Sequence, residues 1–307
     1  SWRLFPMQLH GSICALVTPF DAREQLDFPA LDRLLDWHLA SGTHGLVLAG
    51  STGEAALLDD DEYRMLIAHA AARIAGRMPV IAGIGSPSTK KSLAYAHIAA
   101  NAGADAVLAV TPYYVRPPQR GLIAHYLHLA AESALPIILY NVPGRTGCDV
   151  LPETVAALAA HPRIIGVKEA RPEPERMAAL LLLQSPEFSV LSGDDPTALH
   201  AMSAGAKGTI SVAANVAPRA FAQLCERALS ARPASRMSAA EIDSDLRRLY
   251  DVLALESNPI PAKWALHRLG YLDAIHRLPL TPLSAQHHDA IDQCLAALAS
   301  LDAALAG

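Results

Sequence analysis

Ile164-Ile165-Gly166-Val167-Lys168 is an apolar stretch that ends in a lysine. A strand that is apolar on both faces is typical of a parallel sheet covered by helices. Lys168 therefore stands where a buried strand ends. Desolvation disfavours the charged ammonium, and a neutral amine can attack a ketone to form a Schiff base. The alternative is a lysine that reaches solvent or pairs with Glu169.

Strand patterns alternate with helix patterns on both sides of this stretch. Short apolar runs predict strands at residues 13–18, 45–48, 80–82, 106–110, 137–140, 164–168, 188–191 and 209–212. A helical pattern follows each strand, and in the first of them Asp27 is placed to cap the helix. Eight such units predict an α/β fold, the (β/α)8 or TIM barrel. The alternative, a doubly wound open sheet, more often has fewer units and a glycine-rich first turn.

The alternation stops near residues 231–235, and the segments beyond them have helical patterns only. We therefore expect a barrel at residues 1–230 that carries the active site. A C-terminal helical region at residues 231–307 is expected to pack on the barrel or to serve in assembly.

The composition favours a small molecule as the partner. The apolar residues, 51% of the 307, form short runs that are far below the ~20 residues of a membrane span. Residues 2–10 lack the apolar segment of a signal peptide. The net charge of −5, with both signs interspersed, gives no nucleic-acid footprint. The four dispersed cysteines fit a reducing compartment, so we expect a cytoplasmic location. From the apolar runs and the charge we expect no membrane partner and no nucleic-acid partner.

Two short patterns could suggest other chemistry. His125-x-x-His128 has the nearest approach to metal-ligand spacing, but it lies in an amphipathic helix pattern without a third ligand in register. Ser88-x-x-Lys91 matches a serine-hydrolase pattern whose partner motifs are missing from the sequence. We expect a packing role for the histidines and no metal site.

Polar residues collect after the strands, at the end of the barrel where reactive groups lie. Gly50-Ser51-Thr52-Gly53-Glu54 follows the second strand, and such a glycine loop can hold a carboxylate or phosphate on its N–H groups, or can be an ordinary turn. The other strand ends supply Tyr113, Tyr114, Tyr140, Arg145, Gly193 and Ile210. An amine with phenols, hydroxyls and an arginine suits carbinolamine and imine chemistry on a 2-oxo acid. The imine serves as the electron sink, so no metal or organic cofactor is required.

Six motifs in this order resemble the dihydrodipicolinate synthase and N-acetylneuraminate lyase superfamily, and are most similar to its dihydrodipicolinate synthase branch. The resemblance covers essentially the whole chain. Its motifs are Gly50-Ser-Thr-Gly-Glu54, Val110-Thr-Pro-Tyr-Tyr114, Leu139-Tyr-Asn-Val-Pro-Gly-Arg-Thr-Gly147, Gly166-Val-Lys-Glu-Ala170, Leu191-Ser-Gly-Asp-Asp195 and Asn258-Pro-Ile-Pro-Ala-Lys263.

The resemblance implies a catalytic set. Lys168 would form the Schiff base with pyruvate, and Tyr140, Ser51 and Tyr114 would relay protons. Tyr114 would reach across a dimer interface into the site of the neighbouring subunit. The resemblance also implies a homotetramer of two tight dimers, whose product feeds lysine and diaminopimelate synthesis in the cytoplasm.

The resemblance implies a binding set as well. Thr52 with Ser51 would bind the pyruvate carboxylate, and Arg145 would meet the carboxylate of aspartate semialdehyde. Gly193 and Ile210 would line the pocket.

Some residues depart from the synthase pattern. Ser51 replaces a threonine, and this form is common among lyases and aldolases of sialic and sugar acids, which are the alternative activity. A non-catalytic metabolite-binding paralogue is the third hypothesis. Arg171 is unusual after Lys-Glu-Ala. The positions that match the lysine-inhibition site of the family are Ala55, Asp60, Tyr63, Pro87 and Lys91. Because Lys91 would repel the ammonium of lysine, we expect weak or absent feedback inhibition.

Overall fold

Eight parallel strands form the centre of the described part of the chain and close into a barrel in sequence order. The computed structural model describes residues 7, 9–230 and 237–306. The strands are β1 (Gly11–Ala15), β2 (Gly45–Leu48), β3 (Val80–Gly83), β4 (Ala106–Val110), β5 (Ile137–Asn141), β6 (Ile164–Glu169), β7 (Ser189–Ser192) and β8 (Gly208–Ser211). The pairing of Ile13 with Ile210 joins β1 to β8. The predicted (β/α)8 barrel is confirmed, and an open sheet is excluded by this closure.

Helices follow the strands and cover the barrel. They are α1 (Phe28–Ser41), α2 (Asp60–Ile74), α3 (Thr89–Ala102), α4 (Gln119–Glu132), α5 (Pro143–Thr146), α6 (Pro152–Ala159), α7 (Pro174–Leu181), α8 (Ala198–Ser203), α9 (Pro218–Leu229), α10 (Ala239–Leu253), α11 (Ile260–Arg268) and α12 (His288–Ala306). The Asp27 carboxylate accepts a hydrogen bond from the Ala30 amide at 2.9 Å, which is the predicted cap of α1.

The structure departs from the sequence prediction at two places. The first strand was predicted at residues 13–18, whereas β1 spans Gly11–Ala15. Beyond β1 the chain turns to the loop after β2, where the Thr18 hydroxyl donates to the Gly53 carbonyl at 2.7 Å. The short helix α5 was not predicted, because a single turn with a proline and a glycine carries no readable helical period.

The apolar interior is divided into two layers by the strands. The inner layer fills the barrel and includes Leu9, Ile13, Val47, Ile81, Leu108, Ile138, Tyr140, Leu191 and Ile210. The outer layer lies between the strands and the surrounding helices. Side chains alternate along a strand, so every second residue of β5 and β6 faces the inside. This alternation gives the barrel a packed floor beneath the ends of its strands.

The C-terminal helices pack on the last helix of the barrel: α10 and α12 contact α9 and each other, and α11 contacts α12. The predicted boundary at residues 231–235 lies outside the described residues. None of the helices within the described ranges combines the length and the apolar character required to cross a membrane.

Candidate active site

Lys168 and Tyr140 lie side by side at the carboxyl ends of two neighbouring strands. Tyr140 of β5 pairs in register with Lys168 of β6, so both side chains face the inside of the barrel. The Lys168 Nζ lies 4.0 Å from the centroid of the Tyr140 ring. Only 5% of Lys168 is exposed, which places its amine out of bulk water. The structure therefore brings together the amine and the phenol that the sequence predicted.

Gly193 leaves room for the lysine side chain. A Cβ atom at this position would lie 2.8 Å from Lys168 Cε and 2.9 Å from Lys168 Cγ. Carbon atoms in ordinary contact are about 3.5–4.0 Å apart. Gly193 follows β7, and its amide donates to the Glu169 carbonyl at 2.7 Å. Its role in the structure is to let the Lys168 side chain lie along the inside of β6 and β7.

The loop of residues 50–54, which we call the carboxylate loop after its predicted role, is held tightly at both ends. Ala49 and Glu54 both have the left-handed backbone conformation, with φ of 51° and 56°. A Cβ on Gly53 would lie 3.0 Å from the Ala49 nitrogen and 3.1 Å from the Leu16 carbonyl oxygen, so the close packing of the loop requires glycine there. Ser51 is exposed, whereas Thr52 is buried.

An open cavity of about 390 Å³ lies beside these residues at the mouth of the barrel. Its walls come from the loops after β2, β3, β4 and β5 and from the C-terminal region. They include Ser51, Glu54, Tyr113, Tyr140, Arg145, Asn258 and Leu280. Among the described residues, Lys168 does not itself line the cavity. Its amine lies against the ring of Tyr140, which does line the cavity. Arg145 is the one cationic side chain among the described lining residues, so the cavity suits an anionic substrate.

Asn258 connects the two groups that were predicted to bind carboxylates. Its Nδ2 donates to the Thr52 hydroxyl at 2.9 Å, and its carbonyl accepts from Arg145 Nη2 at 3.5 Å. Arg145 itself is exposed at the mouth, in α5. Asn258 belongs to the sixth motif of the sequence, for which no role was predicted.

Tyr114 does not reach the cavity of its own chain. It is 89% exposed, and its backbone has φ of 71°. Its amide donates to the Thr146 carbonyl at 3.1 Å, which fixes the loop while the ring points away from the described protein. The neighbouring Tyr113 lines the cavity instead. The contact of Tyr114 with a neighbouring subunit and its role in the relay stay predictions.

Ile210 lies at the inner face of β8 and is 1% exposed. It packs in the inner layer with Tyr140 and Leu191. The structure therefore places Ile210 in the floor of the site rather than on the wall of the open cavity.

Arg171 is explained by a network on the outer side of β6. It donates to the carboxylates of Asp149 and Glu173 at 2.8 Å each. Arg176 also donates to Asp149, and the amide of Asn141 donates to Asp149 and to Glu169. Burial raises the pKa of Glu169, against the opposing effect of these donors. The network ties the loop that carries Arg145 to the end of the strand that carries Lys168.

A second cavity, of about 340 Å³, lies behind the first and shares Ala55 and Tyr113 with it. Four of the five positions matched to the lysine-inhibition site line it: Ala55, Tyr63, Pro87 and Lys91. Asp60, the fifth position, is hydrogen-bonded to Tyr95, which lines the cavity. Burial, and then this hydrogen bond, raise the pKa of Tyr95. Lys91 is thus one of the residues that line this cavity, and its side chain is exposed.

His125 has a packing contact rather than a ligand geometry. Its Nδ1 lies 2.8 Å from the Thr89 hydroxyl, and its ring meets Tyr126 edge-on. Burial lowers its pKa to about 4, with a smaller contribution from His128.

A closed (β/α)8 barrel with a buried lysine at the end of its sixth strand, a tyrosine ring against that amine and a glycine loop beside it defines a class of enzyme, the Schiff-base-forming lyases. The sequence matches the profile of the Dihydrodipicolinate synthetase family over residues 8–298. The chain belongs to this family.

Known members resemble the chain over nearly its full length. It is 54% identical over 297 residues to the 4-hydroxy-tetrahydrodipicolinate synthase of Xanthomonas axonopodis pv. citri, with 97% of each chain covered. It is 48% identical over 285 residues to the enzyme of that name from Pseudomonas aeruginosa, covering 93% of this chain and 97% of the relative. A crystal structure of the chloride-inhibited dihydrodipicolinate synthase from Acinetobacter baumannii complexed with pyruvate superposes with a TM-score of 0.91 at 41% identity, covering 95% of this chain and 99% of that one.

Proposed function

We propose that this chain condenses pyruvate with L-aspartate 4-semialdehyde to give 4-hydroxy-tetrahydrodipicolinate, through a Schiff base on Lys168. The observation that carries the proposal is the position of Lys168, buried at the end of β6 with its amine 4.0 Å from the Tyr140 ring and beside an arginine-lined cavity. The relatives that carry the synthase name support this choice of substrates. The structure with pyruvate, from a protein 41% identical, supports the 2-oxo acid.

The first stage is attack on pyruvate. The neutral amine of Lys168 adds to the ketone carbon and forms a carbinolamine. Loss of its hydroxyl as water requires a proton, and the ring of Tyr140 lies against the amine. Ser51 on the carboxylate loop and Tyr114 of a neighbouring subunit complete the proton relay in this proposal.

The carboxylate of pyruvate binds the carboxylate loop. Ser51 and Thr52 lie between two glycines, so backbone N–H groups and hydroxyls can point to one anion. Thr52 already accepts a hydrogen bond from Asn258, which orients its hydroxyl. Binding of the pyruvate carboxylate to this loop fixes the ketone carbon with respect to Lys168, because the carboxylate is bonded directly to that carbon.

The second stage joins the two substrates. Transfer of a methyl proton to the relay converts the imine into an enamine. The enamine carbon attacks the aldehyde of the acceptor, the aldehyde oxygen takes up a proton, and the imine is restored. The amino group of the acceptor then attacks the imine carbon and displaces Lys168, which closes the ring and releases the free amine. Arg145 is a planar donor at the mouth and suits the carboxylate of the acceptor.

The assembly is part of the proposal. We infer a homotetramer of two tight dimers in the cytoplasm, in which Tyr114 enters the neighbouring site. The 89% exposure of Tyr114, beside an exposed Val115, supports an interface at this loop. The division into a barrel at residues 1–230 and a helical region at 231–307 is also an inference, although Asn258 and Leu280 from the later part line the cavity.

Steady-state kinetics test the substrate assignment. We expect turnover with pyruvate plus L-aspartate 4-semialdehyde that exceeds N-acetylneuraminate cleavage by orders of magnitude. Ser51, which is common in the sugar-acid branch, is the residue that makes this comparison necessary. Faster cleavage of N-acetylneuraminate would assign the chain to that branch, and a protein that binds pyruvate without turning over either substrate would be a non-catalytic paralogue.

A further inference from the structure

A buried ion pair connects the C-terminal region to the carboxylate loop. Lys263 of α11 donates from its Nζ to Glu54 Oε2 at 2.7 Å, and both side chains are 0% exposed. Glu54 is the last residue of the carboxylate loop, and 209 residues separate it from Lys263. The ion pair therefore links this loop to a helix of the C-terminal region.

The surroundings of the pair leave its partners little freedom. The Lys263 Nζ lies 4.5 Å from the centroid of the buried Phe20 ring, and Arg277 lies against the same ring. The other carboxylate oxygen of Glu54 is 3.5 Å from His276 Nδ1. Burial lowers the pKa of Lys263, whereas Glu54 opposes this effect. Removal of either partner would leave an uncompensated buried charge, so each side chain is bound to the other.

Backbone hydrogen bonds connect Glu54 and Ala55 to the part of the loop that carries Ser51 and Thr52. The Glu54 amide donates to the Ser51 carbonyl at 3.2 Å, and the Ala55 amide donates to the Gly50 carbonyl at 3.3 Å. Glu54 has φ of 56°, a left-handed conformation that is unfavourable for a residue with a side chain. The ion pair contacts this turn at Glu54, and Asn258 from the same part of the chain contacts it at Thr52.

We propose that Lys263 is a positioning residue, which fixes the carboxylate loop through Glu54 so that Ser51 and Thr52 present their donors to the carboxylate of pyruvate. The inference rests on the proposed function, in which this loop binds pyruvate. A buried ion pair adds little stability over an apolar pair of similar volume, so its value here lies in the geometry that it imposes.

The test measures the pyruvate concentration that gives half-maximal borohydride trapping, together with kcat and the KM for pyruvate. In Lys263→Met the carboxylate loop should lose the position that lets it donate to the pyruvate carboxylate. Because one hydrogen bond to a charged group contributes about 1.5–3 kcal/mol, its loss should raise the half-saturating pyruvate concentration about 10- to 150-fold. The KM should rise by more than kcat falls. An unchanged half-saturating concentration would overturn the proposal.

The matched control is Leu266→Ala on the same helix. Leu266 is fully buried, so this variant loses stability through a cavity while the ion pair remains. Its half-saturating pyruvate concentration should stay within about twofold of the wild-type value, since hydrophobic truncation leaves the loop contacts intact. A rise as large as that of Lys263→Met would assign the effect to general destabilisation and would overturn the proposal.

Glu54→Gln supplies a second route if Lys263→Met does not fold. The amide keeps the hydrogen-bond acceptor but removes the charge, so a smaller rise is expected, and no rise would overturn the inference. Failure of the wild-type protein to form a pyruvate adduct would instead refute the proposed function itself.

Discussion

Substitution of Gly193 by alanine should displace the reactive amine without touching it chemically. The added Cβ would lie 2.8 Å from Lys168 Cε and 2.9 Å from Cγ, with Ala170 Cα at 3.3 Å behind them. Relief of the contact requires the lysine to move by roughly 1 Å, because ordinary carbon contacts are about 3.5–4.0 Å. A displacement of about 1 Å at a reacting group can cost roughly 10²-fold in rate. We therefore expect kcat/KM for pyruvate to fall about 10²-fold.

The assay compares Gly193→Ala with Gly144→Ala. Gly144 lies near the mouth, and a Cβ there would meet nothing within 4 Å, so this variant should keep near-wild-type kinetics. The rate of borohydride trapping and the thermal unfolding of both variants are measured in parallel. If Gly193→Ala folds and traps pyruvate within about threefold of the wild-type rate, the amine tolerates displacement and the geometric argument is wrong.

Three further predictions concern the acceptor, the pH and the effector. Arg145→Met should lower kcat/KM for aspartate semialdehyde about 10- to 150-fold while pyruvate trapping is preserved, and equal losses in both would contradict its role. Burial lowers the pKa of His38 to about 3. Below the unfolded pKa of about 6.5 only the unfolded chain binds this proton, so stability falls as pH falls, by about 2 kcal/mol between pH 7 and pH 5. In denaturant unfolding, the free energy of unfolding of His38→Gln should fall by about 2 kcal/mol less than that of the wild type between pH 7 and pH 5. An identical fall in both proteins would refute the assignment. Millimolar L-lysine should leave turnover nearly unchanged because Lys91 lies on the wall of the second cavity, and strong inhibition would contradict this.

The fold was predictable because its signals are local. Each strand is a short apolar run with a helical pattern after it, and the run that ends at Lys168 placed the lysine where the structure has it. The pairing of Tyr140 with Lys168 follows from two neighbouring strands of a parallel barrel. Family membership, predicted from six motifs, is confirmed by the match over residues 8–298.

The contacts across the chain were not predictable from local pattern. Asn258 and Thr52 are 206 residues apart, and Lys263 and Glu54 are 209 apart, so no periodicity relates them. Their motif, 258–263, was visible only as part of the resemblance. Tyr113 and Tyr114 are the same residue type side by side, so the sequence does not show that Tyr113 lines the cavity while Tyr114, with its left-handed φ, is exposed.

The central claim is that one amine among the five lysines of the chain forms the imine. Reduction of the pyruvate complex with borohydride, followed by peptide mapping, measures this directly, with Lys207→Met as the control because Lys207 is exposed. The account predicts an adduct on Lys168 in the wild type and in Lys207→Met, and none in Lys168→Met. An adduct on Lys263 or another lysine, or an adduct that persists in Lys168→Met, would contradict it.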